Sequence, residues 1–261
     1  MKQAPEYVAG HGLLKGKSVL ITAAAGAGIG FAAARRAAEE GCRALMISDI
    51  HPRRLDEAVT RLRAETGLEQ VYGQICDVTN QQDVSTLVQL AESKLAGIDV
   101  LINNAGLGGQ KNVVDMSDNE WSTVLDITLT GTFRMIREIL PHMQARGHGV
   151  IVNNASVLGW RAQKEQAHYA AAKAGVMALT RCSALEAAEH GVRINAVSPS
   201  IALHDFLKKA SSEELLNQLA SKEAFGRAAE VWEVANVMMF LASDYSSYMA
   251  GEVVSVSSQQ A

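Results

Sequence analysis

Tyr169 and Lys173 stand four residues apart in the run YAAAK, so a helix through them carries a phenol and an ammonium on one face. A phenol beside a cation is equipped to hand over or accept a proton. Free tyrosine titrates near ~10, and each unit of lowering requires about 1.4 kcal/mol of differential stabilisation, much of which a neighbouring Lys173 cation would supply. The bland alternative is a surface pair on a helix. A second constellation lies nearer the amino terminus. There ITAAAGAGIG places Gly26, Gly28 and Gly30, with Ile29 between the last two, at the junction of an apolar strand and a helix. Glycines at such a junction let main chain approach a pyrophosphate, whose charge is favoured by the N–H groups and dipole of the helix start. Asp49 ends the second strand nineteen residues after Gly30, about the distance at which an acid meets the adenosine ribose hydroxyls. Here the alternatives are a tight βα connection and, for Asp49 in SDIHP, a turn aspartate.

Short β-branched or apolar runs alternate along the chain with helix-period segments. Strands are expected at 18–22, 44–48, 71–76, 99–103, 149–155, 193–198 and 252–257, and helices at 29–40, 53–65, 81–95, 118–145, 168–189 and 231–242. Ser117 and Glu120 form a capping box for the fourth helix, and Gly191 stops the fifth. Near-continuous apolar strands in βα alternation predict an α/β fold: one doubly wound domain over 1–261, with a parallel seven-stranded sheet covered by helices on both faces. Ligands should gather at the carboxyl ends of the strands.

With 48% hydrophobic residues among 261, the chain can build a substantial core. The net charge of −4 and scattered basic residues argue against nucleic acid or an anionic membrane as partner. Cys42, Cys76 and Cys182 lie far apart with no CxxC or Cys/His cluster, which is expected of reduced thiols without metal or disulfide. No secretory h-region and no apolar stretch of the ~18–20 residues needed to span a bilayer is present, so a cytoplasmic protein is expected.

The glycine turn, CDV at 76–78, LINNAG at 101–106 and YAAAK at 169–173 together resemble the short-chain dehydrogenase/reductase family, in that family's order and over nearly the whole chain from about Lys15. The resemblance implies a nicotinamide dinucleotide, with Asp77 and Val78 at the adenine and Asn104, Ala105, Gly106 and Pro199 lining the cofactor cleft. The first two asparagines of the NNAG run, Asn103 and Asn104, would also tie strand ends together. Ser156, thirteen residues before Tyr169, completes the family's proton-handling trio and would hold the substrate oxygen. Hydride transfer to a ketone leaves an alkoxide needing a proton, which Tyr169 would give, with Lys173 beside it and on the nicotinamide ribose. Asp49 favours NAD over NADP, and a homotetramer acting on a small molecule is the expected assembly.

The chain departs from the family pattern in four places. The glycine turn is one residue longer and has Ala23 where the first glycine is expected. Thr128 replaces an asparagine of the proton relay, and we take its hydroxyl as the fourth catalytic group. Pro199-Ser200 replaces Pro-Gly, with His204 at a threonine that meets the cofactor amide. Ser257 and Ser258 replace two residues of a terminal DGG, a change expected to matter for packing.

Substrate is expected to touch loops at about 106–115, 157–168 and 200–226. There Leu158, Trp160, Arg161 and His204, with Phe206, Lys208 and Lys209, suit an apolar body with an anionic handle. The runs TAAAGAGIG, SVLGWRAQ and SPSIA resemble a type within the family that oxidises a ring hydroxyl on steroid C/D-ring fragments carried as CoA thioesters. A 3-oxoacyl-thioester reductase is the alternative enzyme, and a catalytically silent dinucleotide-binding regulator the alternative outside enzymes.

Overall fold

The computed structural model describes residues 3–203 and 213–258. Seven parallel strands form one sheet in the order β3-β2-β1-β4-β5-β6-β9. They are β1 (Ser18–Ile21), β2 (Ala44–Asp49), β3 (Val71–Ile75), β4 (Val100–Asn103), β5 (Gly149–Asn154), β6 (Val192–Pro199) and β9 (Val253–Val256). Adjacent residues of β1 face opposite sides of the sheet. Val19 and Ile21 enter a core shared with α1 (Ile29–Glu39), α2 (Pro52–Thr66) and α8 (Val231–Ala242), whereas Leu20 enters one shared with α3 (Gln81–Leu95), α5 (Gly131–Arg146) and α6 (Ala167–Ala188). Such two-sided burial is why the strands read as unbroken apolar runs. Each fully buried leucine or isoleucine in them stabilises the fold by roughly 1.5–3 kcal/mol relative to exposure.

Strand order reverses between β1 and β4, which lie side by side although two βα units separate them in the chain. The crevice outside their carboxyl ends is therefore where this class of sheet receives a ligand. Glycine turn, NNAG segment, Ser156 and the start of α6 all converge there.

Three features differ from the expected elements. The segment read as one helix over 118–145 is α4 (Asp118–Leu125), a wider π turn at Asp126–Thr130, then α5. Its expected start is present, with Ser117 and Glu120 each accepting from the other's main chain. The stretch assigned wholly to loop contains α7 (Glu213–Lys222), and its base is closed by a parallel pair, β7 (Ala202–Leu203) with β8 (Ala229–Glu230). Two-residue strands offer no period to read. Among the described residues no helix is long and apolar enough to cross a membrane, and no group of three His, Cys, Asp or Glu could hold a metal ion.

Candidate active site

The turn from β1 into α1 leaves a cradle for an anion. Gly28 precedes α1 with no side chain capping the helix amides and no acid in the first turn, and a Cβ on Gly26 would meet only the Gly28 amide nitrogen, at 3.9 Å. Uncapped amides at a helix start are the groups a pyrophosphate needs. Gly30 serves packing instead: a Cβ there would lie 2.5 Å from both Ala23 O and Asn104 Nδ2. Ala23 adopts φ +51, the left-handed conformation that glycine would adopt freely, so the missing family glycine is replaced by strain. That conformation costs an L-residue roughly 1–2 kcal/mol, offset by about 0.4–1 kcal/mol of glycine's unfolded-state entropy. Ala23→Gly is therefore expected to stabilise the fold by about 0.5–1 kcal/mol. A urea midpoint that falls in the variant would count against this account.

Asp49 closes β2 beneath the same turn. Its carboxylate accepts from the amides of Ala25 (3.3 Å) and His51 (3.2 Å), and Arg54 approaches to 3.8 Å. Arg53 points away toward Glu57. Burial raises the Asp49 carboxyl above its ordinary range, and the Ala25 amide and Arg54 oppose that rise. Past β3, Asp77 accepts from the amide (2.9 Å) and hydroxyl (2.7 Å) of Thr79. Val78 is buried against Gly131, where a Cβ would lie 2.7 Å from it. These residues surround the carboxyl ends of β2 and β3, and with the uncapped α1 they fit a dinucleotide laid across the crevice.

The tie expected of the asparagines is present. Asn103 donates to Asn153 (2.9 Å), which donates to Thr180 (2.9 Å), a buried polar ladder from β4 through β5 to α6. Asn104 donates to the carbonyls of Thr22 and Ala23 and accepts from Asn154 (3.0 Å). Thr22, which no sequence argument singled out for itself, takes the amides of both Asn104 (3.0 Å) and Ala105 (3.1 Å) on its hydroxyl. Its place at the head of the glycine turn was the available signal; for Asn154 there was none.

Ser156 ends β5 in extended conformation and accepts from the Leu158 amide. Its side chain stands close enough to the Tyr169 phenol to favour phenolate. Lys173, one turn further along α6, is 3% exposed, lies 5.5 Å from the centre of the Tyr169 ring and donates to the main-chain carbonyl of Asn154. The trio is thus assembled. Its electrostatics differ from expectation. Part of the Tyr169 ring is accessible, yet protein crowds it closely, and burial pushes the phenol up to about 12 against the opposing Ser156 bond. The same desolvation pushes Lys173 down to about 8. Burial penalises phenolate and ammonium alike, so the tyrosine that Lys173 was expected to lower is raised instead.

These displacements make stability depend on pH. Between about pH 8 and 10.5 the unfolded chain holds a proton that folded Lys173 has released, so stability rises with pH. Between about pH 10 and 12 folded Tyr169 keeps a proton that the unfolded chain loses, so stability falls. Lys173→Met should abolish the first slope and leave the second. Urea midpoints taken at about pH 7.5 and 9.5 check this; equal gains in parent and variant would assign the slope elsewhere.

Thr128 is fully buried in the π turn. Its hydroxyl takes the Leu107 amide (3.0 Å) and faces the Leu107 carbonyl (3.3 Å), with Gly106 lying between it and Lys173. Pro199 is buried at the end of β6, beside Val256 of β9. Leu158 is half-buried behind Ser156, Trp160 is 52% exposed, and Arg161 follows it at the rim. Ser258 bonds the buried Glu223 (3.0 Å), a packing role for the altered terminus. His204, Phe206, Lys208 and Lys209 lie outside the described residues.

The family described as enoyl-(acyl carrier protein) reductase matches residues 23–258. A relative from Mycobacterium tuberculosis, 62% identical over 98% of this chain and 97% of its own length, is named (5R,7aS)-5-hydroxy-7a-methyl-1-oxo-2,3,5,6,7,7a-hexahydro-1H-indene-carboxyl-CoA reductase. A 3-oxoacyl-(acyl-carrier-protein) reductase from Thermotoga maritima is 35% identical, covering 93% of this chain and 97% of that protein. Among solved structures, a short chain dehydrogenase from Mycobacterium smegmatis superposes with a TM-score of 0.88 at 58% identity, covering 100% of this chain and 99% of the other.

Proposed function

The chain belongs to the short-chain dehydrogenase/reductase family, and from that membership we propose that it interconverts a ring hydroxyl and its ketone on a fused-ring CoA thioester or carboxylate, using NAD. It is an oxidoreductase acting on a hydroxyl/ketone pair, of a family whose cofactors are nicotinamide dinucleotides. One observation carries the substrate reading. The 62% identical relative is named for a methylated hexahydroindene bearing hydroxyl, ketone and carboxyl-CoA. Such a bicycle corresponds to the C and D rings of a steroid, the body expected from the sequence.

Ser156 and Tyr169 are neighbours in the site, so one substrate oxygen can contact both hydroxyls. The bound nicotinamide supplies the hydride donor or acceptor. Tyr169 moves the proton at that oxygen, and Ser156 donates to the charge developing there. Lys173, anchored by Asn154, would hold the nicotinamide ribose and helps fix the geometry of the phenol. Because a transition state is shared by both directions, the same groups serve oxidation and reduction. Our reading is NAD-linked oxidation, following from Asp49.

The 3-oxoacyl-thioester alternative rests on relatives of 33–35% identity and is the weaker reading. A screen with a hexahydroindanol CoA thioester, its free alcohol and straight-chain 3-oxoacyl thioesters separates the two. Ring turnover is expected; activity confined to the straight chains would replace this proposal with the alternative. We further read the protein as a cytoplasmic homotetramer. Trp121 on α4, Phe133 on α5 and the nearby Val113 and Val114 leave apolar area uncovered on the single chain.

A further inference from the structure

The loop 106–112 contains Gly106, Gly108 and Gly109 in seven residues. Such a segment has high conformational entropy and holds one shape only if tied down. It is tied at three places. Thr128 bonds Leu107. The Gln166 side chain donates to Gly109 O at 2.7 Å, and the Lys111 amide donates to Glu165 O at 2.9 Å. Glu165 is held at φ +66 to present that carbonyl, a strained conformation that persists only where its surroundings over-determine it. Gln166 is 9% exposed, and His168, 2% exposed, fits against Gly109 so closely that a Cβ there would lie 3.1 Å from Nε2. A Cβ on Gly108 would lie 3.8 Å from Tyr169 Cδ2 and 3.9 Å from Cε2, so the loop borders one edge of that ring. The clasp therefore sets the position of a side-chain-poor wall beside the Tyr169 ring.

We propose that Gln166 is a positioning residue for substrate recognition, which by holding Gly109 O fixes the loop 106–112 as the wall against which a flat ring-bearing alcohol seats over Tyr169. The ring preference rests on the function proposed above; the clasp does not. A glycine wall offers a rigid ring close approach along its whole face, and it loses this property once it fluctuates. A small acyclic alcohol needs less of that face.

Gln166→Leu keeps the volume and removes the donor. Hydrogen–deuterium exchange of the 106–112 amides in the full-length protein is expected to quicken about tenfold. KM for the ring alcohol should rise about tenfold, with kcat within about threefold, KM for a small acyclic secondary alcohol within about twofold and NADH affinity unchanged. Gly109→Ala, which presses the loop away from His168, should reproduce the same split and serves if the first variant does not fold. Unchanged exchange in both variants, or a loss confined to kcat, would overturn the proposal. If the parent turns over no ring alcohol the proposed function fails, while the exchange measurement still decides the clasp.

Discussion

Tyr169→Phe is expected to reduce kcat by about a thousandfold while NADH binds with unchanged affinity. A positioned acid or base contributes on the order of 10²–10⁴ in rate, and among the described residues the Tyr169 phenol beside Ser156 is the group we assign to move the proton. Phenylalanine preserves the ring that Lys173 and Gly108 face, so the cofactor side of the crevice should be unaltered. Burial, which pushes the phenol up to about 12, adds a sign. Near neutral pH Tyr169 is protonated, as ketone reduction requires, whereas oxidation calls on it as a base. Alcohol oxidation should therefore accelerate with rising pH and reduction should not. Steady-state rates in both directions, with NADH binding followed by fluorescence, test both statements. A variant within a few-fold of the parent would remove Tyr169 from the chemistry.

Asp49 is expected to make kcat/KM about a hundredfold higher for NAD than for NADP. A 2′-phosphate would meet a carboxylate already fixed by the Ala25 and His51 amides. A like charge in a partly desolvated cleft costs several kcal/mol, and each 1.4 kcal/mol is about tenfold. Arg54 does not cancel this, because it is engaged by Asp49 itself at 3.8 Å, and Arg53 is paired outward with Glu57. Asp49→Ser should release Arg54 toward the phosphate and bring the two cofactors within about tenfold. Equal or better use of NADP by the parent would defeat the assignment of Asp49.

Ala23 and Thr128 mark how far a departure from the family pattern can be interpreted from residue types. An alanine stands where the family has a glycine, and the chain keeps the left-handed conformation at that position. A hydroxyl in place of an amide reads as a substitute in a proton relay. In the fold that hydroxyl, within the π turn at Asp126–Thr130, bonds the Leu107 main chain. A π turn has no residue signature, and the helical period of 118–145 continues through it.

Strand and helix positions, the parallel sheet and the spacing of Tyr169 from Lys173 were all written locally, since burial on two faces of a sheet and one face of a helix imposes periods that neighbouring residues carry. Convergence was not local. Thr22, Asn104 and Asn154 come from three different strand ends, and they meet because the sheet order places β1, β4 and β5 side by side. Gln166 meets Gly109 only where the start of α6 lies beside the loop 106–112. The charge balance of Tyr169 and Lys173 was likewise decided in three dimensions. Spacing along a helix sets how near two groups stand, but the protein packed around them sets the desolvation that both must bear, and here desolvation is the largest cause of both shifts.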